Sequence, residues 1–368
     1  MAELVEKGRI SSRQLALLLF STVISTITVY PPSLVAGVAG RDAWLAVVLA
    51  TAYTLLFWWV IVALAARFPG ETAVQYARQV LGRWLGSLVG LVFIFFFFVL
   101  GFNVARVMGE IMTTAFMPRT PEVVIVAILV VLGAYAAYGG LEVIARVNEI
   151  LLPVGVAVLL FVGASSLSTV DFANFLPVLE EGLRPVNWGG VLLLSFTGEV
   201  VLALMLFPFV QDREVVARDG ALTILGLGAA MQIGVLAIGL YTPEVAAKMV
   251  FPALEMVRGV SLGKLISHLD VLIMGVWIGG IFIKLAVLYY AAVLGLAQWL
   301  GLEDYRPMVA PTGVLLVAFS LLAYRTQGEY YTTALMEVFP GQALIHEFCL
   351  PLLLLLVARL RGLRGGEG

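Results

Sequence analysis

Polar residues punctuate the chain so as to leave ten apolar runs, at about 11–38, 43–66, 86–115, 121–139, 142–164, 188–210, 219–241, 266–298, 309–324 and 340–358. A helix needs about 20 apolar residues to cross roughly 30 Å of hydrocarbon. The pattern therefore predicts an all-α polytopic membrane protein with ten transmembrane helices. The eighth run is long enough to tilt or to protrude from the bilayer. Between the second and third runs, ETAVQYARQVLGRWLG (Glu71–Gly86) sets Thr72 and Gln75 at capping-box spacing, with Val74, Leu81 and Leu85 at near-helical intervals. That predicts a short amphipathic helix on the membrane surface. TPEVAAKMVFPALEMVRG (Thr242–Gly259) is mixed and punctuated by proline, and predicts a loop of short helices.

Two runs carry interruptions. The first contains STITVYPPSL, with Pro31 and Pro32 adjacent. Each proline lacks an N–H and clashes with the carbonyl four residues earlier, and each disfavours helical geometry at the residue before it. A break is expected near Val29–Pro32, with Ser25, Thr26, Thr28 and Ser33 able to partner freed backbone groups or a ligand. The sixth run contains SFTGEVV (Ser195–Val201), where Gly198 is permissive and Thr197 can bond backbone. Non-helical backbone at membrane depth is tolerated only where it is buried in protein or lines a cavity. Paired interruptions five runs apart point to two inverted five-helix repeats with a binding site at the midplane. The expectation is one transmembrane domain, with repeats at about 11–164 and 188–358.

Ionisable residues at depth add detail. Glu199 lies about twelve residues from each end of its run, where an acidic residue is costly and is a functional candidate by default. Asn103, Arg106 and Glu110 stand at i, i+3 and i+7 on one stripe of the third run, where Arg106 and Glu110 can pair. Glu149 follows Arg146 and Asn148 near one end of the fifth run, placed for a gating salt bridge or for snorkelling. Lys284, within WIGGIFIKLAVLYY, needs a partner from another helix. Glu199, Glu149 and the carbonyls of the first break are the candidates.

Composition agrees with the pattern: 61% of the 368 residues are hydrophobic, 12% are charged, and the mean hydropathy is +1.03. The net charge of −2 says nothing of partners. With Cys349 the single cysteine, an internal disulfide is excluded, and its apolar helical setting suggests inert packing. Only His268 and His346 are present, so a histidine-built metal centre is not expected, nor is any cofactor. No P-loop, HExxH, CxxC or nucleophile elbow occurs, which argues against an enzyme. The polar first ten residues and the long first run argue against a cleaved signal peptide. With the N-terminus cytoplasmic, thirteen Lys and Arg fall inside, Lys7 among them, and seven outside, Lys264 among them. This is the positive-inside arrangement, and an even helix count returns the C-terminus to the cytoplasm.

Several stretches carry a family resemblance. GRDAW after the first run, RFPG after the second, and GGLEVIARVNEILLP opening the fifth, together with NFLPVLEEGLRPV, are similar to the B subunits of endospore germinant receptors. These form the spore germination permease family within the amino acid–polyamine–organocation superfamily. The resemblance spans essentially the whole chain. It implies a LeuT-like fold, with a central site between the broken helices 1 and 6 flanked by helices 3 and 8. It further implies a spore inner-membrane subunit that binds a small germinant such as an amino acid and works with A- and C-type subunits. The alternative is a proton-coupled amino-acid transporter acting alone. On this reading the ligand site comprises Ser25, Thr26, Thr28, Tyr30, Pro31, Ser33, Asn103, Arg106, Ser195, Phe196, Thr197, Gly198 and Glu199. Free N–H groups beyond the break would receive a ligand carboxylate, while Glu110, Glu149 and Lys284 would couple an ion or gate the site. Where relatives often carry glycines before the first-helix proline, this chain has Ile24, Ser25 and Thr26, which narrows the expected pocket.

Overall fold

The computed structural model describes residues 8–259 and 270–365; Lys7, Lys264, His268 and the start of the eighth run lie outside them. Helices α1 (Ser12–Ile27), α2 (Pro31–Ala39) and α3 (Ala43–Ala65) are followed by the short α4 (Ala73–Leu81) and the long α5 (Arg83–Ile111). Then come α6 (Glu122–Gly139), α7 (Leu141–Leu167), α8 (Leu183–Thr197) and a single turn, α9 (Ala203–Leu206). After α10 (Val216–Tyr241), α11 (Pro243–Ala246) and α12 (Pro252–Gly259) form the loop of short helices that the sequence predicts. The chain continues with α13 (Asp270–Leu300), α14 (Val309–Leu322), α15 (Gln327–Glu329), α16 (Phe339–Ala343) and α17 (Leu350–Leu360). Among the described residues eight helical segments are long and apolar enough to cross a membrane, and Ser12–Ile27 and Arg306–Leu322 are shorter apolar helices.

Local chemistry sets the ends that matter. Ser11 caps α1 in a capping box with Gln14. The helix stops at Ile27 because Pro31 and Pro32 cannot supply the N–H groups that would continue it. Three residues, Thr28–Tyr30, bridge to α2, which starts on Pro31. Proline is suited to that first position, where its missing N–H costs nothing. Tyr30 nonetheless keeps helical angles (φ −96°, ψ −37°), unlike the extended geometry expected before a proline. Its carbonyl accepts from both Ser33 and Leu34 N–H at 3.1 Å, which holds that geometry.

The sixth segment is altered, not opened. At Gly198 the α-helix tightens into a 3₁₀ stretch, Gly198–Leu202, and the chain runs on through α9 to a second 3₁₀ turn at Phe207–Phe209. This segment is almost wholly enclosed by its neighbours. α1 packs on α7, α10 and α13, while α8 packs on α3 and α2. The start of α1 is tied to the end of the sixth segment: Ile10 N–H donates to Phe209 O and Gln211 N–H to Ile10 O, both at 3.0 Å. α4 carries the expected Thr72–Gln75 capping box but ends at Gly82, whose positive φ (+83°) turns the chain into α5. Its Val74, Tyr76 and Val80 are buried, so it is a packed element and not a free surface helix. Cys349 is exposed on its helix, not packed inside.

Candidate ligand and ion site

Two buried polar clusters lie on either side of the break in the first segment. The first surrounds Tyr30, whose hydroxyl donates to Glu110 Oε2 at 2.8 Å. Arg106 does not pair with Glu110, although the two are one helical turn apart on α5. Its Nη1 donates to Ser320 O at 3.2 Å, and its guanidinium lies 5.6 Å and 5.9 Å from the ring centroids of Tyr324 and Tyr330. These are cation–π distances. Tyr330 and Tyr331 meet Tyr30 edge-on at 6.2 Å and 6.1 Å, and Phe251 closes another side at 5.7 Å. Tyr331 reaches Ser33 Oγ at 3.4 Å. Two polar atoms in this cage have no hydrogen-bond partner: Nε of Arg106 and Oε1 of Glu110.

The second cluster joins α1, the sixth segment and α13. Lys284 Nζ donates to Glu199 Oε1 at 2.8 Å, to Glu199 Oε2 at 2.6 Å and to Thr26 Oγ1 at 2.6 Å. Lys284 and Glu199 are 1% and 3% exposed, so the ion pair is shielded from water. Desolvating both charges is expensive, and short multidentate geometry is what offsets it. Of the candidate partners for Lys284, the structure selects Glu199 and adds a hydroxyl from the edge of the break.

Other expected site residues are placed elsewhere. Thr197 Oγ1 makes a short hydrogen bond with Thr54 Oγ1 of α3 and faces that helix. Ser195 Oγ donates to Leu192 O at 2.6 Å, and Phe196 meets Phe339 edge-on at 5.1 Å. Asn103 Nδ2 is bonded to Val99 O within α5, but the side chain stays at the edge of the Tyr30 cage beside Tyr324, with its Oδ1 buried and without a hydrogen-bond partner. Ser25 Oγ donates to Thr22 O, and Thr28 Oγ1 donates to Ile24 O while accepting from Trp277 Nε1. Ser25 and Thr28 border an apolar cavity of ≈340 Å³ between α1, α7 and α13. Glu149 is exposed and accepts from Gln14 Nε2 at 3.1 Å, while Arg146 pairs with Glu142 instead; neither touches the clusters. The N-terminus of α2 holds no free donor: Pro31 and Pro32 have no N–H, and those of Ser33 and Leu34 are spent on Tyr30 O. A carboxylate cannot be received there in the manner expected.

Sequence reasoning missed the residues that complete both clusters. Tyr330, Tyr331 and Glu347 all sit on widened π-type turns of the last apolar segment, at Tyr330–Val338 and Leu344–Cys349. Such turns re-aim side chains and recur at functional sites. Glu347, an acid inside an apolar run, carries the same signal that singles out Glu199.

Residues 9–327 match the profile of the family described as "Spore germination protein". Spore germination protein KB of Bacillus subtilis (strain 168) is 29% identical over 366 residues, covering 96% of this chain and 95% of that protein. Spore germination protein YndE of the same organism is 27% identical, covering 96% and 97%. Among solved structures, MhsT in complex with L-phenylalanine superposes with a TM-score of 0.71 at 16% identity, covering 96% of this chain and 90% of that one. The nucleobase-cation-symport transporter Mhp1 gives 0.61, also at 16% identity, covering 96% and 94%. At such identities the likeness speaks for the fold alone, which is the LeuT-like transporter fold with altered first and sixth helices. The molecule is an integral membrane protein of permease architecture.

Proposed function

The chain belongs to the spore germination protein family, and on that premise we propose that it is the membrane subunit of a germinant receptor that binds a small zwitterionic nutrient, an amino acid, beside Tyr30. One observation carries this reading. Arg106 Nε and Glu110 Oε1, a cationic donor and an anionic acceptor one turn apart on α5, are buried and unspent, and the two side chains do not neutralise each other. A zwitterion is complementary to that arrangement: its carboxylate would take the guanidinium and its ammonium the free carboxylate oxygen. The tyrosines around them would accept an apolar or aromatic side chain. The L-phenylalanine in the MhsT complex is a zwitterion of this class, bound there by a protein of the same fold. The protein would act in the spore inner membrane with both termini cytoplasmic. A- and C-type subunits would read whichever arrangement of the two repeats the ligand favours. The test is germination of spores carrying Arg106→Ala or Glu110→Gln against a panel of L-amino acids. The half-maximal concentration should rise at least about tenfold in each, equivalent to about 1.4 kcal/mol. Unaltered dose dependence in both would refute the placement.

A second reading, a proton-coupled amino-acid transporter acting alone, is favoured by the Lys284–Glu199–Thr26 cluster between α1 and α13. A lysine there could stand in for a coupling cation and exchange protons during transport. Uptake of labelled amino acid into proteoliposomes that is lost in Lys284→Ala would favour it. Absence of uptake, with copurification of partner subunits, favours the receptor.

A further inference from the structure

Glu347 is completely buried and neither carboxyl oxygen has a hydrogen-bond partner. The side chain lies against Gly198. A Cβ built there would overlap Glu347 Oε2 and come within 2.8 Å of Phe348 Cζ, so the glycine is what makes room for the carboxyl. The charged groups within electrostatic reach of it are Glu199, the residue after Gly198 in the sixth segment, and Lys284 of α13, which is bonded to Glu199. The other neighbouring contacts are uncharged. Phe57 of α3 lies against Phe348, and Phe96 of α5 stacks on His346, whose Nδ1 is 2.6 Å from Gln342 O. α3 contains no charged residue.

The enclosed charge does not balance: two carboxyl groups share one ammonium. Lys284 has three N–H donors, and its contacts are the two oxygens of Glu199 and the hydroxyl of Thr26. No donor is directed at Glu347. An ionised carboxylate enclosed without donors is far costlier than the neutral acid, and such groups take up a proton. We propose that Glu347 is a proton-binding site, its carboxyl carrying a proton in this arrangement, and that release of that proton to water is linked to movement of the first segment. The linkage follows from the single ammonium. Once ionised, Glu347 competes with Glu199 for Lys284 and draws it from Thr26, the hydroxyl at the edge of the break. Proton loss therefore disfavours the arrangement seen, and proton binding favours it. This holds whether the chain senses or transports, and whatever occupies the Tyr30 cage.

The test is infrared spectroscopy of the full chain in lipid nanodiscs, in H₂O and D₂O, as wild type minus Glu347→Gln. The expected result is a neutral-carboxylic-acid C=O band at neutral pH, shifted in D₂O and lost as pH rises, that is missing from Glu347→Gln and kept in Glu110→Gln, which removes a different buried carboxyl. Where Glu347→Gln yields no folded protein, Glu347→Asp must move the band. A wild type without the band, a band unchanged by both Glu347 variants, or a band displaced by sodium at constant pH would overturn the proposal.

Discussion

Lys284 Nζ lies 2.6 Å from both Glu199 Oε2 and Thr26 Oγ1, so one ammonium joins three helical segments that are 85 and 258 residues apart in sequence. Both charged groups of this joint are out of reach of water, while Thr26 is half-buried, and the enclosed ion pair makes the joint brittle. Removing one partner of such a pair leaves an uncompensated charge and typically costs about 3–5 kcal/mol, whereas removing both is far milder. Lys284→Met should therefore lower the unfolding midpoint of the purified protein strongly, and Lys284→Met with Glu199→Gln should recover most of the loss. Equal losses in single and double variants would show that shape, not charge, is what the joint contributes.

Arg106 is held by geometry that lysine cannot copy. Its planar guanidinium faces two tyrosine rings while Nη1 bonds Ser320 O. A lysine keeps the charge but loses the fork and the stacking. Cation–π contacts at desolvated sites contribute up to about 2 kcal/mol. Arg106→Lys should accordingly behave more like Arg106→Ala than like wild type in germinant dose response. Full rescue by lysine would mean that only the charge matters, and the tyrosine cage would then have no part in recognition.

What the sequence conveyed follows the range of the interactions. Apolar run length, the Ser11 and Thr72 capping boxes and the double proline are local signals. The capped helices and the break are present, and of the ten foretold spans eight helical segments reach spanning length among the described residues, with two shorter apolar helices beside them. Altered geometry at Gly198 was also legible, though as a break and not as the tighter 3₁₀ turns that form. The clusters were legible only in part, because their contacts span large sequence separations. That Lys284 needs a partner could be read from its apolar surroundings, but not which carboxylate would reach it. Nor could one-dimensional spacing show that Arg106 turns away from Glu110 to Tyr324 and Tyr330, more than 200 residues downstream. Stripe logic on one helix overstates pairing within that helix when a neighbour offers aromatic faces.

Thr197 illustrates the same limit and gives a sharp outcome. Its position beside Gly198 suggests a ligand contact, yet its hydroxyl is committed to Thr54 across the α3–α8 interface. Thr197→Val should cost about 1 kcal/mol of stability, the usual net contribution of one hydrogen bond. The half-maximal germinant concentration should stay where it is. A rightward shift with unchanged stability would put Thr197 in the ligand site after all.

Gly198 itself should respond to a single methyl group. The closest atoms to a new Cβ are Glu347 Oε2, Phe348 Cζ and Glu347 Cδ, all belonging to a wholly buried side chain or its packed neighbour. The carboxyl has little space to retreat, because its side chain is wholly buried. Overpacking of this kind costs about 1–3 kcal/mol. Gly275 on α13 is the matched control, since nothing lies within 4 Å of a Cβ placed there and its backbone is helical. Replacing glycine by alanine in a helix with free space is neutral to favourable. Gly198→Ala should therefore lower the thermal midpoint while Gly275→Ala holds or raises it. Gly198→Ala combined with Glu347→Ala should regain part of the loss, because the second substitution vacates the volume that the methyl group needs. If the double variant is no better than the sum of the two single ones, the contact across Gly198 is not what limits packing at this joint.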